Sequence, residues 1–419
     1  MITSFSRGTS FGSGNADLSG YLGRTPYLFH GVAIGRDVYS AYPAGNALLF
    51  TPLALIAGLV GLQPDSIIVA AFLAKLVASV LTALGVSCIY LLVRGEVDRR
   101  VALYLTFVAA VASPTFAISS QTFVQHGPTI GLTSLALLLV VRGAQRRYLY
   151  VAGAAMGLAI IVRPPNALLA LGLIAYLLRA RRAAIVPFIL GMLPLAAFQM
   201  TYGWIALGGP FRLTFLPPGG NTFFEGFVGH LVSPSRGLFV YSPFFVVAFL
   251  VLAVVWRHRA SDRTRLLRWL SLVVLANLIL YSWYFEWWGG YSFGNRYMSD
   301  FVPIYTLALA EAWRRGWFRE AWRRWLFAIA VGWSLLLQAA GAGIYYFWSV
   351  PHWEELPDIN KFPARLWQWN DSQWVETLWR LVTDPDPTIW VELLVLAVVF
   401  VLWVRIALAP DRSTPEPTG

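Results

Sequence analysis

The sequence predicts an all-α protein that crosses a membrane many times. Of its 419 residues, 58% are apolar and only 13% are charged, against about 25% charged in a typical soluble domain; the mean hydropathy is +0.61. Arginine and lysine recur in short clusters between long apolar runs, which is how membrane proteins set their topology. The net charge of +11 therefore reports orientation, and disordered chains, disulfide scaffolds and nucleic-acid modules are excluded.

Eleven apolar runs approach the ~20 residues that a helix needs to cross a bilayer. They cover residues 66–93, 101–118, 124–141, 148–162, 166–178, 184–207, 238–256, 266–285, 298–313, 326–347 and 389–408. The fourth and fifth runs are short and flank Arg163, Pro164 and Pro165, so they fit either two spans or a shallow hairpin. A twelfth stretch, 44–62, is interrupted by Pro52 and Gly58 and either crosses the membrane or lies on its surface.

The loop charges orient these runs. The loops at 94–100, 142–147, 179–182, 257–268 and 314–324 hold 19 Lys and Arg in total, whereas the alternating loops from residue 119 onward hold 7. Because basic loops stay in the cytoplasm, the loops 208–236 and 348–387 are predicted to be extracytoplasmic. The C-terminus is then cytoplasmic, and the protein is expected in the cytoplasmic (inner) membrane.

The densest group of polar and aromatic residues is the outer loop 286–297. It contains Glu286, Trp287, Trp288, Tyr291 and Arg296 among several glycines. Glycine lets the backbone approach a ligand, aromatic rings suit a sugar face or the membrane interface, and a guanidinium binds phosphate bidentately. The alternative is an aromatic belt in which Arg296 snorkels or pairs with Asp300.

Other candidates are scattered along the outer ends of the runs. Arg236 begins a run and fits either a phosphate ligand or a topological anchor. His126 fits a metal or sugar contact, or an ordinary hydrogen-bonded interfacial histidine. Asp17 and Asp37 are candidates for a general base, although Asp37 also fits a turn. Lys75, inside the first run, is expected to have an interior partner.

Four segments resemble, in the same order, bacterial membrane glycosyltransferases of the GT-C superfamily. The group in question is family 39, with the protein O-mannosyltransferases and aminoarabinose transferases. The segments are GRDVYSAYPAGNALL at 35–49, SRGLFVYSP at 235–243, WWGGYSFGNRY at 287–297 and RLWQWNDSQ at 365–373. The likeness covers nearly the whole chain.

The resemblance implies hexosyl or pentosyl transfer from a polyprenyl-phosphate-linked donor to an extracytoplasmic lipid, glycan or protein. Asp17 and Asp37 are then the catalytic candidates, with Arg296 and Arg236 binding the donor phosphate. Contacts to sugar or acceptor are expected from Tyr42, His126, Glu286, Trp287, Trp288 and Tyr291. A divalent cation is left open as a cofactor, with no metal ligand assigned, and nucleic acid is not expected as a partner.

The resemblance also settles the expected organisation. It makes 44–62 an outer-surface amphipathic helix, so that 1–65 is an extracytoplasmic region, 66–409 is the transmembrane bundle with outer loops 208–236, 286–297 and 348–387, and 410–419 is a disordered cytoplasmic tail. Family members begin with a transmembrane helix before the catalytic Asp, and the chain is expected to lack it. Two alternatives stay open for this reason: a non-catalytic remnant that binds polyprenyl lipid, and a transporter or flippase of lipid-linked sugars.

Overall fold

The computed structural model describes residues 31–34, 37–40, 43–63, 66–121, 125–143, 145–210, 223–259, 261–343, 359, 362–383 and the single positions 391, 394, 395 and 398. This part of the chain is helical except for one short antiparallel hairpin. Contacts divide the chain into two compact units. The first comprises Met1–Gly85 and Ser119–Gly219, and the second comprises Val86–Ile118 and Gly220–Gly419.

The described elements follow one another along the chain with short connections. They are β1 (Gly31–Ile34), β2 (Asp37–Ser40), α1 (Gly45–Leu59), α2 (Ile67–Arg94), α3 (Arg99–Val111), α4 (His126–Arg142), α5 (Arg146–Val162), α6 (Ala167–Ala180), α7 (Ile185–Leu207), α8 (Phe223–Val232), α9 (Leu238–Tyr241), α10 (Phe245–Val254), α11 (Asp262–Ser282), α12 (Arg296–Ser299), α13 (Val302–Arg314), α14 (Ala321–Ala340) and α15 (Gln373–Thr383). Short 3-10 turns cover Pro164–Asn166, Arg182–Ala184, Val255–Arg257 and Pro363–Trp367, and a π-helix covers Thr115–Ser119.

Four helical segments are long and apolar enough to cross a bilayer. They are Ile68–Arg94, Arg182–Ile205, Asp262–Ser282 and Ala321–Gly343, and shorter apolar helices occupy several of the other predicted runs. Large apolar side chains on these helices face outward, such as Ile68 at 78% exposure, which is favourable only against lipid. The all-α, multi-pass membrane class predicted from composition is therefore confirmed. The predicted run 389–408 lies almost wholly outside the described residues.

Three predicted apolar runs are not continuous helices. In the run 101–118, α3 ends at Val111 and a π-helix follows Pro114; in 238–256, Pro243 separates α9 from α10; in 298–313, a break precedes Pro303 in the first turn of α13. The cause is shared, because proline lacks an N–H and disfavours helical backbone at the residue before it. Hydropathy alone does not register such breaks.

Helix α1, predicted as a surface helix, packs one face against α2. Its buried Phe50, Ala54 and Ala57 recur at helical spacing and contact Leu73 and Val77 of α2. With 15 residues, α1 is about 22 Å long, which is short of the ~30 Å hydrocarbon core of a bilayer. Its length therefore favours the surface position, which stays a prediction.

Helices α5 and α7 of the first unit touch backbone to backbone. A Cβ added at Gly153 would lie 1.9 Å from the carbonyl oxygen of Phe188, and one at Gly191 would lie 2.1 Å from that of Tyr150. Only glycine fits both positions, as in other close helix pairs of membrane proteins. This contact fixes the end of α5, from which Arg163 projects.

A charge network holds the basic end of the second unit. Glu311, 2% exposed, accepts from Arg314 at 2.9 Å and from Arg315 at 2.5 Å. Arg263 of α11 pairs with Glu96, which follows α2. Burial raises the pKa of Glu96, and the charge of Arg263 opposes that rise. The network therefore ties the ends of α2, α11 and α13 together.

Candidate functional site

The loop between α11 and α12 lies at the centre of the second unit. Trp287, Trp288 and Phe293 are buried together with Tyr241 and Leu366 in one apolar cluster. The rings of Tyr241 and Phe293 meet edge to face with centroids 5.1 Å apart, a favoured aromatic geometry. Two of the predicted sugar contacts, Trp287 and Trp288, are thus core residues of this loop.

Arg236 locks the same loop from below. Its side chain is 1% exposed; Nε donates to the carbonyl of Trp288 at 2.8 Å and Nη2 to that of Gly290 at 2.7 Å. Nη1 donates to the carbonyl of Ser235 at 2.8 Å. Three charge-assisted bonds to backbone make Arg236 a brace for the loop. Its predicted binding of a donor phosphate remains a prediction.

Arg296 sits at the outer side of the brace and stays half-buried. Its Nη2 donates to the Tyr297 hydroxyl at 3.3 Å, and the guanidinium carbon lies 5.1 Å from the centroid of that ring. Gly289 and Gly290 have φ of 75° and 62°. A Cβ at Gly289 would come within 2.8 Å of Arg296 Nε, and one at Gly290 within 2.9 Å of Glu286 Oε1. The two glycines therefore leave space for a cation and a carboxylate over the loop.

A histidine that the sequence analysis did not single out as a site residue is buried beside this loop. His230 of α8 is 0% exposed and accepts from Asn295 Nδ2, which is 3.3 Å from His230 Nδ1. Asn295 also accepts from the Met298 N–H at 3.1 Å and so caps α12. Burial lowers the pKa of His230 to about 4, opposed by the Tyr281 backbone and by Asn295. Asn295 thus links α8 to the start of α12, beside Arg296.

The segment 365–373 closes the second unit over the loop. Gln373 accepts from the Gly294 N–H at 3.2 Å and donates to the Ser292 carbonyl at 3.1 Å. The Ser235 N–H donates to the Leu366 carbonyl at 3.4 Å. Three of the four segments that carried the family resemblance, 235–243, 287–297 and 365–373, are therefore one packed assembly. That convergence was not visible in the sequence, because the segments are far apart along it.

The fourth segment, 35–49, belongs to the first unit. Asp37 lies in β2, opposite Ile34 of β1, and the structure describes its backbone only. After it, α1 begins against the end of α5, where a Cβ at Gly45 would lie 2.4 Å from the Val162 nitrogen. The next residue of the chain after Val162 is Arg163.

Arg163 and His126 form a buried pair in the first unit. Each is 4% exposed, and Arg163 Nη1 lies 2.5 Å from His126 Nδ1. A guanidinium only donates, so the imidazole must accept and is neutral. Asn166 donates to the Thr129 hydroxyl at 3.3 Å beside them. The predicted alternatives for His126, a ligand contact or a satisfied histidine, thus meet a partner already in place.

The other predicted residues divide by what the structure describes. Asp17 and Tyr42 lie outside the described residues. Glu286 and Tyr291 are half-buried, and Tyr291 packs on the aromatic cluster of the loop. Lys75 was expected to have an interior partner, and its Nζ donates to the side-chain oxygen of Gln121.

A metal is not supported by the described side chains. Among the residues that the structure covers, His, Cys, Asp and Glu form no group of three that fits a metal ion. The open suggestion of a divalent cation therefore stays a prediction, and no step below is derived through one.

Fold and site together define a helical, multi-pass membrane protein with an arginine-braced aromatic loop. Residues 43–204 match the family model described as dolichyl-phosphate-mannose-protein mannosyltransferase. The match confirms the resemblance to the GT-C superfamily of membrane glycosyltransferases. It runs from the start of α1 into α7 and does not reach Arg236 or Arg296.

Solved structures of oligosaccharyltransferase from Archaeoglobus fulgidus are also similar. One, a complex with zinc and sulfate, is 17% identical, covers 79% of this chain and 49% of its own, and has a TM-score of 0.41. Another, AglB with an inhibitory peptide and a dolichol-phosphate, is 15% identical, with coverages of 80% and 52% and a TM-score of 0.39. The chain spans about half the length of these proteins, and such scores support no conclusion about it. No curated protein matched the chain.

Sequence reasoning missed the residues that position the loop. Asn295 and Gln373 stand inside two of the resembling segments, yet neither was singled out. Buried amides that carry two backbone partners each are recognised by their contacts, and these join positions 79 or 81 residues apart for Gln373 and 65 apart for Asn295. The available signal was a polar amide within an otherwise aromatic and apolar motif.

Proposed function

We propose that the protein is a membrane glycosyltransferase that takes a sugar from a polyprenyl-phosphate-linked donor and gives it to an acceptor outside the cytoplasm. The family match over 43–204 supports the class. The observation that carries the donor assignment is the division of labour between two arginines on one loop. Arg236 is consumed by three carbonyls, whereas Arg296 is half-buried at the surface of the same assembly.

A half-buried guanidinium beside an aromatic ring suits a lipid phosphate. The planar fork of Arg296 offers bidentate donors, and the space that Gly289 and Gly290 leave open lets the phosphate oxygens approach. The aromatic surroundings lower the local dielectric, which strengthens the attraction to a phosphate. Arg296 is proposed to hold the donor phosphate and to stabilise the charge that it gains as it leaves.

The chemistry proposed is a single displacement with inversion. A carboxylate of the region before α1, Asp37 or Asp17, removes the proton of the acceptor hydroxyl. The acceptor oxygen then forms a bond to the anomeric carbon, and the bond from that carbon to the phosphate oxygen breaks with its electron pair going to the lipid phosphate. Tyr42, His126, Glu286 and Tyr291 are proposed as contacts to sugar or acceptor.

We place this site on the outer side of the inner membrane. The basic loops 94–100 and 314–324 hold eight of the Lys and Arg residues, and the positive-inside rule puts that end in the cytoplasm. The N-terminal region and the loop 286–297 then face outward, and the C-terminus faces the cytoplasm.

The test compares Arg296→Gln with Arg380→Gln in full-length protein in lipid nanodiscs. Arg380 is a half-buried arginine of the same unit that pairs with Glu376 at 2.7 Å, so it is a matched control. With labelled undecaprenyl phosphate as probe, Arg296→Gln is expected to weaken binding about tenfold or more, because a hydrogen bond to a charged group is worth about 1.5–3 kcal/mol. Arg380→Gln is expected to leave binding unchanged, and unchanged binding in Arg296→Gln contradicts the phosphate role.

Turnover separates the enzyme from its alternatives. Asp37→Asn is expected to abolish sugar transfer from a panel of polyprenyl-phosphate sugars while undecaprenyl phosphate still binds. Binding without transfer from any donor in the unaltered protein would favour a lipid-binding remnant. Movement of labelled lipid across the membrane without transfer would favour a transporter.

A further inference from the structure

Two neighbouring recesses open on the second unit at the end that carries the basic loops. One, of about 500 Å³, is lined by Val254, Arg257, His258, Arg315 and Trp317. The other, of about 520 Å³, runs between α10 and α14 and is lined mainly by apolar side chains, including Val247, Leu326 and Ala330. Trp317 lines both, so a cationic recess borders directly on an apolar one.

The cationic recess carries excess positive charge. Arg315 shares the carboxylate of Glu311 with Arg314, so these three side chains sum to one positive charge. Arg257 is exposed at the end of the turn Val255–Arg257 and adds a second. A ligand that brings a phosphate monoanion to Arg257 and Arg315 is therefore favoured electrostatically.

The apolar recess is built to face hydrocarbon. Leu326 is 58% exposed and Leu250 is 47% exposed along its walls, and such surface is stable only when an apolar chain or lipid covers it. Trp322 lines it near the basic end and donates from Nε1 to Glu320 at 2.7 Å, as tryptophan does at a membrane interface. The recess thus leads from the charged end towards the bilayer interior.

The turn between α13 and α14 holds Trp317 in place between the recesses. Arg324 Nη1 donates to the carbonyls of Phe318 at 3.0 Å and of Arg319 at 2.8 Å. Arg323 Nη1 donates to the carbonyl of Trp317 at 3.4 Å. The shared wall is therefore preformed rather than dependent on a ligand.

We propose that the two recesses bind one anionic phospholipid of the cytoplasmic leaflet, with its phosphate at Arg257 and Arg315 and an acyl chain between α10 and α14. Basic pockets at the cytoplasmic ends of membrane helices recognise anionic headgroups, and the apolar continuation selects a lipid over a soluble phosphate. This site is lined by residues other than Arg236 and Arg296. The bound lipid joins α10 to the turn that precedes α14.

The experiment uses native mass spectrometry of the full-length protein with added dioleoyl-phosphatidylglycerol or dioleoyl-phosphatidylcholine. The unaltered protein is expected to retain phosphatidylglycerol in preference to phosphatidylcholine. Arg257→Gln is expected to weaken retention of phosphatidylglycerol about fivefold, the worth of one arginine at an anionic lipid surface. Ala330→Trp fills the apolar recess and is expected to weaken retention of both lipids. Arg319→Gln, on the same turn but outside the lining, is the matched control and is expected to change nothing.

Several results would overturn the proposal. Equal retention of the two lipids by the unaltered protein, or an equal effect of Arg257→Gln and Arg319→Gln, removes the headgroup site. Displacement of the lipid by glycerol phosphate alone would mean that a soluble phosphate suffices. Preference for phosphatidylglycerol that emerges only after deletion of residues 410–419 would mean that the chain's own tail occupies the recess.

Discussion

Replacing Arg236 by alanine is expected to destabilise the second unit before it affects any donor. The side chain is 1% exposed and holds the carbonyls of Ser235, Trp288 and Gly290 at 2.7–2.8 Å. Alanine leaves these carbonyls without their charged donor in a buried setting. The loop that carries Arg296 then loses its brace.

The magnitude follows from those bonds. A hydrogen bond to a charged group is worth about 1.5–3 kcal/mol, but three bonds from one guanidinium are not additive. Removal of one partner from a buried charged interaction costs about 3–5 kcal/mol, so Arg236→Ala is expected to lower the free energy of unfolding by about 4 kcal/mol. Arg236→Lys keeps the charge but not the planar fork, and about half that loss is expected.

The assay is denaturant titration in detergent followed by circular dichroism, with undecaprenyl phosphate binding measured well below the unfolding transition. Arg380→Ala is the control, because an exposed or half-exposed pair such as Arg380 with Glu376 contributes under about 1 kcal/mol. Arg236→Ala with unchanged stability and lost lipid binding would refute the brace and make Arg236 a phosphate ligand. Unchanged stability together with unchanged binding would refute both roles.

Three further substitutions test other parts of the structure. Gly289→Ala is expected to destabilise the loop by about 1–3 kcal/mol, measured by denaturant titration, because φ is 75° there and a Cβ would lie 2.8 Å from Arg296 Nε. His230 is buried with its pKa at about 4, below the unfolded value of 6.5; its contribution is complete above pH 6.5 and is lost as the pH falls towards 4, by about 3 kcal/mol in total. Titrations at several pH values should show that slope, and His230→Gln should flatten it. Gly153→Leu is expected to separate α5 from α7 and to cost about 3 kcal/mol or more, read from the same denaturation assay.

Each of these predictions has a result that contradicts it. Gly289→Ala at full stability means that the loop relaxes freely. A pH slope that persists in His230→Gln assigns the acid sensitivity to other groups. Gly58, where an added Cβ meets no atom within 4 Å, is the control for Gly153, and equal costs at the two positions would disprove the close helix contact.

Local patterns predicted the helices well because hydropathy and proline act over a few residues. The long run 66–93 became α2, and 184–207 became α7. The same local view overestimated continuity, since Pro114, Pro243 and Pro303 interrupt three of the runs. The breaks were readable in the sequence, but the apolar count outweighed them.

The candidate site was predictable in its members but not in their roles. Arg236 and Arg296 were expected to share one task, yet the structure buries the first against carbonyls and leaves the second half-exposed. The difference arises from contacts between positions 52 and 54 residues apart. No pattern around either arginine distinguishes them.

Composition, hydropathy and the spacing of basic clusters determined by themselves that this is a helical membrane protein, because these properties depend on each residue's own affinity for water, lipid and cytoplasmic charge. The order of four short segments was enough to indicate the superfamily. Only the tertiary structure decided that three of those segments pack as one assembly, that Asn295 and Gln373 hold it, and that His126 meets Arg163. Such pairings depend on which distant backbone groups are brought within hydrogen-bonding distance, and that is a property of the folded chain.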